Sequence, residues 1–269
     1  MNLGLTGQVT VVVGAASGIG RAIAEEFAAE GAHVALVDRA ATVQEAATQI
    51  NGQYTVATLG IVADVTDYAA MQQAAAQVVE ALGAVNHLVY AAGMASGKGG
   101  FPFWNLEPGD WPRVLDVNLV GAVNTAHAFV PNFTAQRSGT ILFISSVAGQ
   151  IGSQTDPPYS AAKAGLINFS QCAARDFAGY NVRVNTICPG MVDTPLNRKV
   201  WEGQMAGLPA DQRVDFDTWG AAKLKNRVPL NRWQTPQDIA HMAVFLASPM
   251  AENVTGQTIN VDGGFVMHW

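Results

Sequence analysis

Tyr159 and Lys163 stand four residues apart, and Ser146 stands thirteen residues before the tyrosine, at the close of an apolar run. Four residues is about one turn of helix, so the phenol and the ammonium share a face. A cation held near a phenol favours the phenolate and draws a pKa of about 10 toward neutral. Such a phenol can accept or donate a proton near pH 7. Taken alone, a Tyr-x-x-x-Lys pair is weak evidence and more often describes a solvated helix face. The other end of the chain separates the two readings.

There an apolar run at 9–13 leads into Gly14-Ala-Ala-Ser17-Gly18-Ile19-Gly20 and an Ala-rich stretch of helical period. Gly14 permits a sharp turn, Gly18 lets the backbone approach a diphosphate, and Gly20 allows tight helix–strand contact. The helix start offers free N–H groups and a partial positive charge to that diphosphate. Eighteen residues after Gly20 the second apolar run ends in Asp38-Arg39. The Asp38 carboxylate suits the two ribose hydroxyls of an adenosine and repels a 2′-phosphate, whereas Arg39 could pair with that phosphate. Ser17 adds no second basic group, so the expected cofactor is NAD. Asp64-Val65 is placed to meet the adenine or, alternatively, to cap the next helix, a task open also to Thr66 and Asp67.

These residues need a scaffold. Short apolar runs at 9–13, 33–37, 56–62, 87–90, 140–144, 182–187 and 258–261 read as strands buried on both faces. Helical periods fill 19–29, 43–50, 69–82, 111–136, 159–178 and 236–247. The alternation predicts an α/β Rossmann fold, a doubly wound seven-stranded parallel sheet with helices on both faces. The 269 residues form one expected domain, 1–269, with an insert at about 196–229 that is either a substrate lid or a surface excursion.

Several function classes are excluded. A net charge of -6 leaves no basic cluster to track nucleic-acid phosphates. No basic residue precedes the first apolar run, so a signal peptide is not expected there. The apolar runs are far shorter than the roughly 20 residues that span a bilayer; a soluble cytoplasmic protein is expected. Cys172 and Cys188 fall on different elements and read as reduced core fillers. His33, His87, His127, His241 and His268 show no metal-ligand spacing, so no metal is expected. Phe101, Phe103, Trp104 and Trp111 read as a packed loop, with Trp104 a possible pocket wall.

The ordered set of the glycine loop, Asp64-Val65, Ala92-Gly93, Asn118, Ser145-Ser146, Tyr159-Ser-Ala-Ala-Lys163, Pro189-Gly190 with Thr194, and the ending Gly256-Gln-Thr-Ile-Asn-Val-Asp-Gly-Gly264 resembles the short-chain dehydrogenase/reductases over essentially the whole chain. The resemblance implies an Asn118–Ser146–Tyr159–Lys163 tetrad. Tyr159 would be the general acid/base and Ser146 would bond the same substrate oxygen. Lys163 would hold the nicotinamide ribose, and Asn118 would fix a relay water at a helix kink. The Val192 backbone and the Thr194 hydroxyl would hold the carboxamide.

The implied activity is interconversion of a secondary alcohol and a ketone with NAD. Its small-molecule substrate would be a polyol, sugar derivative or hydroxy-ketone, contacted by Ser146, Gln150, Tyr159 and Met191. The pocket would be walled by 96–104, 150–157, 191–219 and 266–269. Alternatives are a cyclic or aryl ketone, or a non-catalytic NAD-binding sensor. A homotetramer is implied, with contacts through 111–136 with 159–178 and through 236–269. Two departures stand out: Val13 where relatives carry Thr, and Tyr90-Ala91 where they carry Asn-Asn. Losing both polar partners is expected to have a modest effect on stability and none on chemistry, unless Tyr90 points to the cofactor.

Overall fold

The computed structural model describes residues 2–98, 102–152 and 156–267. Strands β1 (Val9–Val13), β2 (His33–Asp38), β3 (Thr58–Val62), β4 (His87–Tyr90), β5 (Gly139–Ile144), β6 (Val182–Pro189) and β7 (Thr258–Val261) form one parallel sheet. Its order is β3-β2-β1-β4-β5-β6-β7. Strand order reverses between β1 and β4, which opens a crevice beyond their carboxyl ends. The expected Rossmann architecture is the observed one.

The helices are α1 (Gly18–Ala29), α2 (Thr42–Gln53), α3 (Tyr68–Leu82), α4 (Pro112–Leu115), α5 (Gly121–Gln136), α6 (Pro157–Ala178), α7 (Pro195–Ala206), α8 (Phe216–Arg227) and α9 (Pro236–Ala247). Val12, Leu36, Val89 and Leu142 pack on one side of the sheet with Phe27 of α1 and Ile239 of α9. Their chain neighbours Val11, Ala35, Leu88 and Ile141 pack on the other, with Met71 of α3, Phe129 of α5 and Leu166 of α6. Alternate side chains leave a strand on opposite faces, and both faces are covered, so the central strands carry no polar alternation. At the sheet edge the cover thins: Val62 of β3 is 48% exposed.

Two boundaries depart from the sequence reading. β3 begins at Thr58 rather than 56, because the Val56 carbonyl turns away to accept from Asn51 Nδ2 at 2.9 Å. The helix expected over 111–136 is broken into α4, a π-helical coil at Asp116–Val120, and α5. The kink expected at Asn118 is this wider coil. The 196–229 insert holds α7 and α8, whose aromatic cluster seats Phe216 on Trp233 at 5.3 Å and 14°.

His33 and His87 begin strands, as expected. His87 is buried, with Nδ1 2.8 Å from Thr140 Oγ1 and Nε2 against Gln8 Oε1. Burial lowers its pKa to about 3. The folded imidazole is therefore neutral, and an unfolded one protonates near pH 6.5. This stabilisation is complete above that pH and declines as pH falls toward 3, by up to about 1.4 kcal/mol per unit. Urea unfolding should show a loss of about 1 kcal/mol between pH 7 and 5.5. A His87→Gln protein, less stable at pH 7, should lack that slope; an identical slope in both proteins contradicts the assignment.

Candidate active site

The crevice takes its shape from glycines. Gly14 has φ +85, and a Cβ there would lie 2.5 Å from the Ala92 nitrogen, so the turn after β1 presses against the end of β4. A Cβ on Gly20 would stand 2.1 Å from the Gly14 oxygen. Gly18, at φ +59, has only Thr194 Cγ2 and Pro195 Cδ near it, both at 3.9 Å. Ser17 is the α1 N-cap but makes no side-chain capping bond. The first-turn N–H groups of α1 therefore have no side-chain acceptor from Ser17 and suit a diphosphate. Ile19 continues this first turn.

Asp38 lies against that loop: Oδ2 accepts from the Ala16 N–H at 3.0 Å and Oδ1 from the Ala40 N–H at 2.9 Å. Arg39 is exposed. Asp64 is no helix cap, since Asp67 caps α3 by accepting from the Ala70 N–H at 3.1 Å. Asp64 instead accepts from the Thr66 N–H and hydroxyl and pairs with Arg113 at 3.2 Å. The Thr66 N–H foremost, with its hydroxyl and Arg113, holds the carboxyl below its ordinary range. The Val65 carbonyl accepts from Asn124 Nδ2 at 3.0 Å. These residues fit an adenosine dinucleotide: a glycine cradle that a Cβ would fill, and a carboxylate at its edge.

The tetrad converges from three elements. Ser146 ends the β5 segment and accepts from the Ala148 N–H at 3.1 Å. Pro157 and Pro158 start α6, their missing N–H groups needing no partner there, and bring Tyr159 to the crevice. Lys163, one turn on, is 3% exposed and donates to the Ile144 carbonyl at 2.8 Å, with Nζ 5.5 Å from the Tyr159 ring centre. Asn118 Nδ2 donates to the Met94 and Val114 carbonyls, each at 2.8 Å, and its Oδ1 accepts from the Met94 N–H at 3.3 Å. A Cβ on Gly93 would lie 3.0 Å from Asn118 Oδ1 and 3.5 Å from Lys163 Nζ, so the glycine leaves room for both side chains.

The electrostatics correct the sequence reading. The Tyr159 phenol is pushed up to about 12, chiefly by burial, while its hydrogen bond with Ser146 pulls down. Burial draws Lys163 down to about 8. Desolvation of the phenolate, the largest cause, outweighs the Ser146 hydrogen bond, and the Asp156 and Cys188 charges push the same way.

On the far wall a Cβ on Gly190 would meet the Asp262 Cα at 2.8 Å. Pro189 ends β6, Val192 bridges to Gln234, and Thr194 caps α7 by accepting from the Asn197 N–H at 3.4 Å. Met191 is half-buried beside them. The Gln150 amide forms a reciprocal pair with Asn260 of β7, at 2.7 and 3.0 Å. Burial pushes the Cys188 thiol up to about 11, consistent with a filler; Cys172, expected in the core, is exposed, and both are free.

One further reading changes. Phe103 and Trp104 are 62% and 70% exposed rather than packed into a loop. Tyr90 does not face the cofactor crevice; it is fully buried and its hydroxyl donates to the Val117 carbonyl. Asp156, which sequence reasoning missed, precedes α6 without capping it and accepts from the Ser96 N–H at 2.6 Å. Burial raises its pKa. Phe101, His268 and the pocket walls at 99–101, 153–155 and 268–269 lie outside the described residues. Among the described residues no group of three potential metal ligands occurs, and no helix is long and apolar enough to cross a membrane.

A family model described as enoyl-(acyl carrier protein) reductase matches residues 14–266. The chain is 35% identical to an uncharacterised short-chain type dehydrogenase/reductase of Sinorhizobium fredii, over 98% of this chain and 99% of that one. It is also 35% identical to D-threitol dehydrogenase of Mycolicibacterium smegmatis, covering 98% and 94%. The crystal structure of L-sorbose reductase from Gluconobacter frateurii, complexed with NADPH and L-sorbose, aligns with a TM-score of 0.90 at 30% identity over 100% of both chains.

Proposed function

Because the chain belongs to the short-chain dehydrogenase/reductases, oxidoreductases that use nicotinamide dinucleotides, we propose that it interconverts a secondary alcohol and a ketone with NAD. The substrate class is a polyol, sugar derivative or small hydroxy-ketone. The observation that carries this reading is the meeting of the Tyr159 phenol, the Ser146 hydroxyl and the buried Lys163 ammonium at the carboxyl end of the sheet. Relatives acting on D-threitol and L-sorbose support the substrate class.

Bound NAD would accept or return a hydride at the substrate carbon. The protein's part is the proton and the orientation. In reduction, the Tyr159 phenol, neutral at pH 7, donates to the carbonyl oxygen while Ser146 donates a second hydrogen bond to that oxygen. In oxidation the phenolate takes the alcohol proton, and the Lys163 charge favours that form. Lys163 is also the proposed contact to the nicotinamide ribose, and Val192 with Thr194 the proposed holders of its carboxamide. Gly14, Ser17, Gly18, Ile19 and Gly20 would bind the diphosphate and Asp38 the adenosine ribose. Asp64, Val65, Ala92 and Gly93 would line the adenine and ribose side, and Pro189 and Gly190 the nicotinamide side.

The insert at about 196–229 is the proposed lid. Cytoplasmic homotetramer formation is proposed too, supported by exposed Val120 and Val123 beside α5 and Phe245 and Met250 beside α9. Light scattering at micromolar concentration should give four times the chain mass, and a monomer contradicts it.

Purified protein assayed by NADH absorbance against polyols, ketoses, cyclic alcohols and aryl ketones tests the reaction. Turnover is expected with at least one polyol or ketose. Tight NADH binding without net oxidation or reduction of any of these compounds would sink the proposal and favour a sensor.

A further inference from the structure

The π-helical coil at Asp116–Val120 lies at the centre of the tetrad, because it contains Asn118. In an α-helix the Gly121 N–H would donate to the Val117 carbonyl, four residues back. Here that N–H donates to the Asp116 carbonyl, five residues back. A wide coil of this kind is uncommon and needs something to hold it. The Val117 carbonyl accepts instead from the Tyr90 hydroxyl, which reaches it from the end of β4. Gly121 makes that reach possible, since a Cβ there would stand 2.7 Å from the Tyr90 oxygen.

We infer that Tyr90 is a positioning residue whose hydroxyl holds the wide coil open and thereby aims the Asn118 amide at the backbone of Met94, beside Lys163. This rests on the oxidoreductase reading above. The geometry is continuous: Tyr90 and Met94 belong to one segment leaving β4, Tyr90 grips residue 117, and Asn118 grips Met94 through both its amide atoms. Between them sits Gly93, with Asn118 Oδ1 and Lys163 Nζ at 3.0 and 3.5 Å from where a Cβ would stand. Each residue of α-helix turns the chain by about 100°. A coil that closed from five-residue to four-residue bonding would swing the Asn118 amide away from Met94 and from Lys163. Tyr90 is fully buried and touches neither the glycine loop nor Tyr159 by any described hydrogen bond, so it acts through Asn118 rather than on the substrate.

Tyr90→Phe keeps the ring and removes only the hydroxyl. Thr125→Val is the matched control: the Thr125 hydroxyl donates to the Gly121 carbonyl at 2.8 Å in the same buried helix, without reaching Val117. The expected result for Tyr90→Phe is a kcat lowered about tenfold, as for a lost hydrogen bond to a positioned group, with KM for NADH and substrate within twofold of the parent. Hydrogen exchange of the amides at 118–122 should change in the same variant. Thr125→Val should keep kcat within twofold and the exchange of 118–122 unchanged.

Parent kcat in Tyr90→Phe, or equal losses in both variants, overturns the inference while leaving the oxidoreductase reading intact. Should the parent turn over no alcohol or ketone at all, that reading fails; hydrogen exchange then still decides whether Tyr90 holds the coil, and an unchanged pattern overturns it.

Discussion

Tyr159→Phe should lower kcat by roughly 10²- to 10⁴-fold, the span usual for a positioned acid or base, while NADH binds within about threefold of its parent affinity. The physical case starts from the proton. Hydride cannot leave an alcohol carbon unless the hydroxyl proton departs, and cannot arrive at a carbonyl unless the oxygen is protonated. Phenylalanine fills the same space, half-buried at the start of α6, so the crevice survives but the proton has no acceptor. Ser146 stays in place through its bond from the Ala148 N–H and can still polarise the oxygen, which accounts for residual turnover. Stopped-flow NADH fluorescence gives the binding constant and steady-state absorbance gives kcat. A Phe variant that retains more than a tenth of parental kcat removes Tyr159 from the acid/base role. Lost NADH binding would instead mean that the phenol holds the dinucleotide.

Asp38→Ser should reverse much of the cofactor preference, with kcat/KM for NADP rising at least about tenfold and that for NAD falling by a similar factor. Tenfold corresponds to about 1.4 kcal/mol, modest for removing one negative charge from beside a dianionic phosphate in a partly shielded crevice. Both Asp38 oxygens already accept backbone N–H groups, from Ala16 and Ala40, so the carboxylate is fixed at the rim of the glycine loop. Each oxygen keeps a lone pair for a ribose hydroxyl. Asp38→Asn separates the charge from the loop geometry, because its carbonyl oxygen can keep one of the two bonds while the charge is gone. If the parent already prefers NADP, the NAD assignment is wrong, and exposed Arg39 becomes the phosphate ligand; Arg39→Ala should then depress NADP use alone.

Much of this site was legible in the chain because its parts are local. The glycine loop works through turns and a helix start within seven residues, and each glycine proves to be needed by a contact at or below 2.8 Å or a positive φ. Tyr159 and Lys163 do share one helix face, and the apolar runs do form the seven strands. The broken helix was only half legible. A kink at Asn118 could be anticipated, but its form, a wide coil held by Tyr90, depends on a hydroxyl twenty-seven residues away in sequence. Gln150 was placed against substrate on its position, yet the structure pairs it with Asn260, one hundred and ten residues downstream. Arg113 on Asp64 and Asp156 on Ser96 are likewise partners between segments that no spacing rule connects.

The amino-acid order by itself determined the chemical groups, the dinucleotide cradle and the alternation of strand and helix, since turn geometry and helical period act over a few residues. Tertiary structure alone decided protonation and aim. The expectation that Lys163 would draw the Tyr159 pKa toward neutral gave way to a phenol pushed up to about 12 and an ammonium drawn down to about 8. The reason is that desolvation sums over every atom packed around a group, and the groups acting on Tyr159 come from separate segments: Ser146 after β5, Asp156 before α6 and Cys188 of β6. A pairwise spacing contains one neighbour; a buried site contains them all.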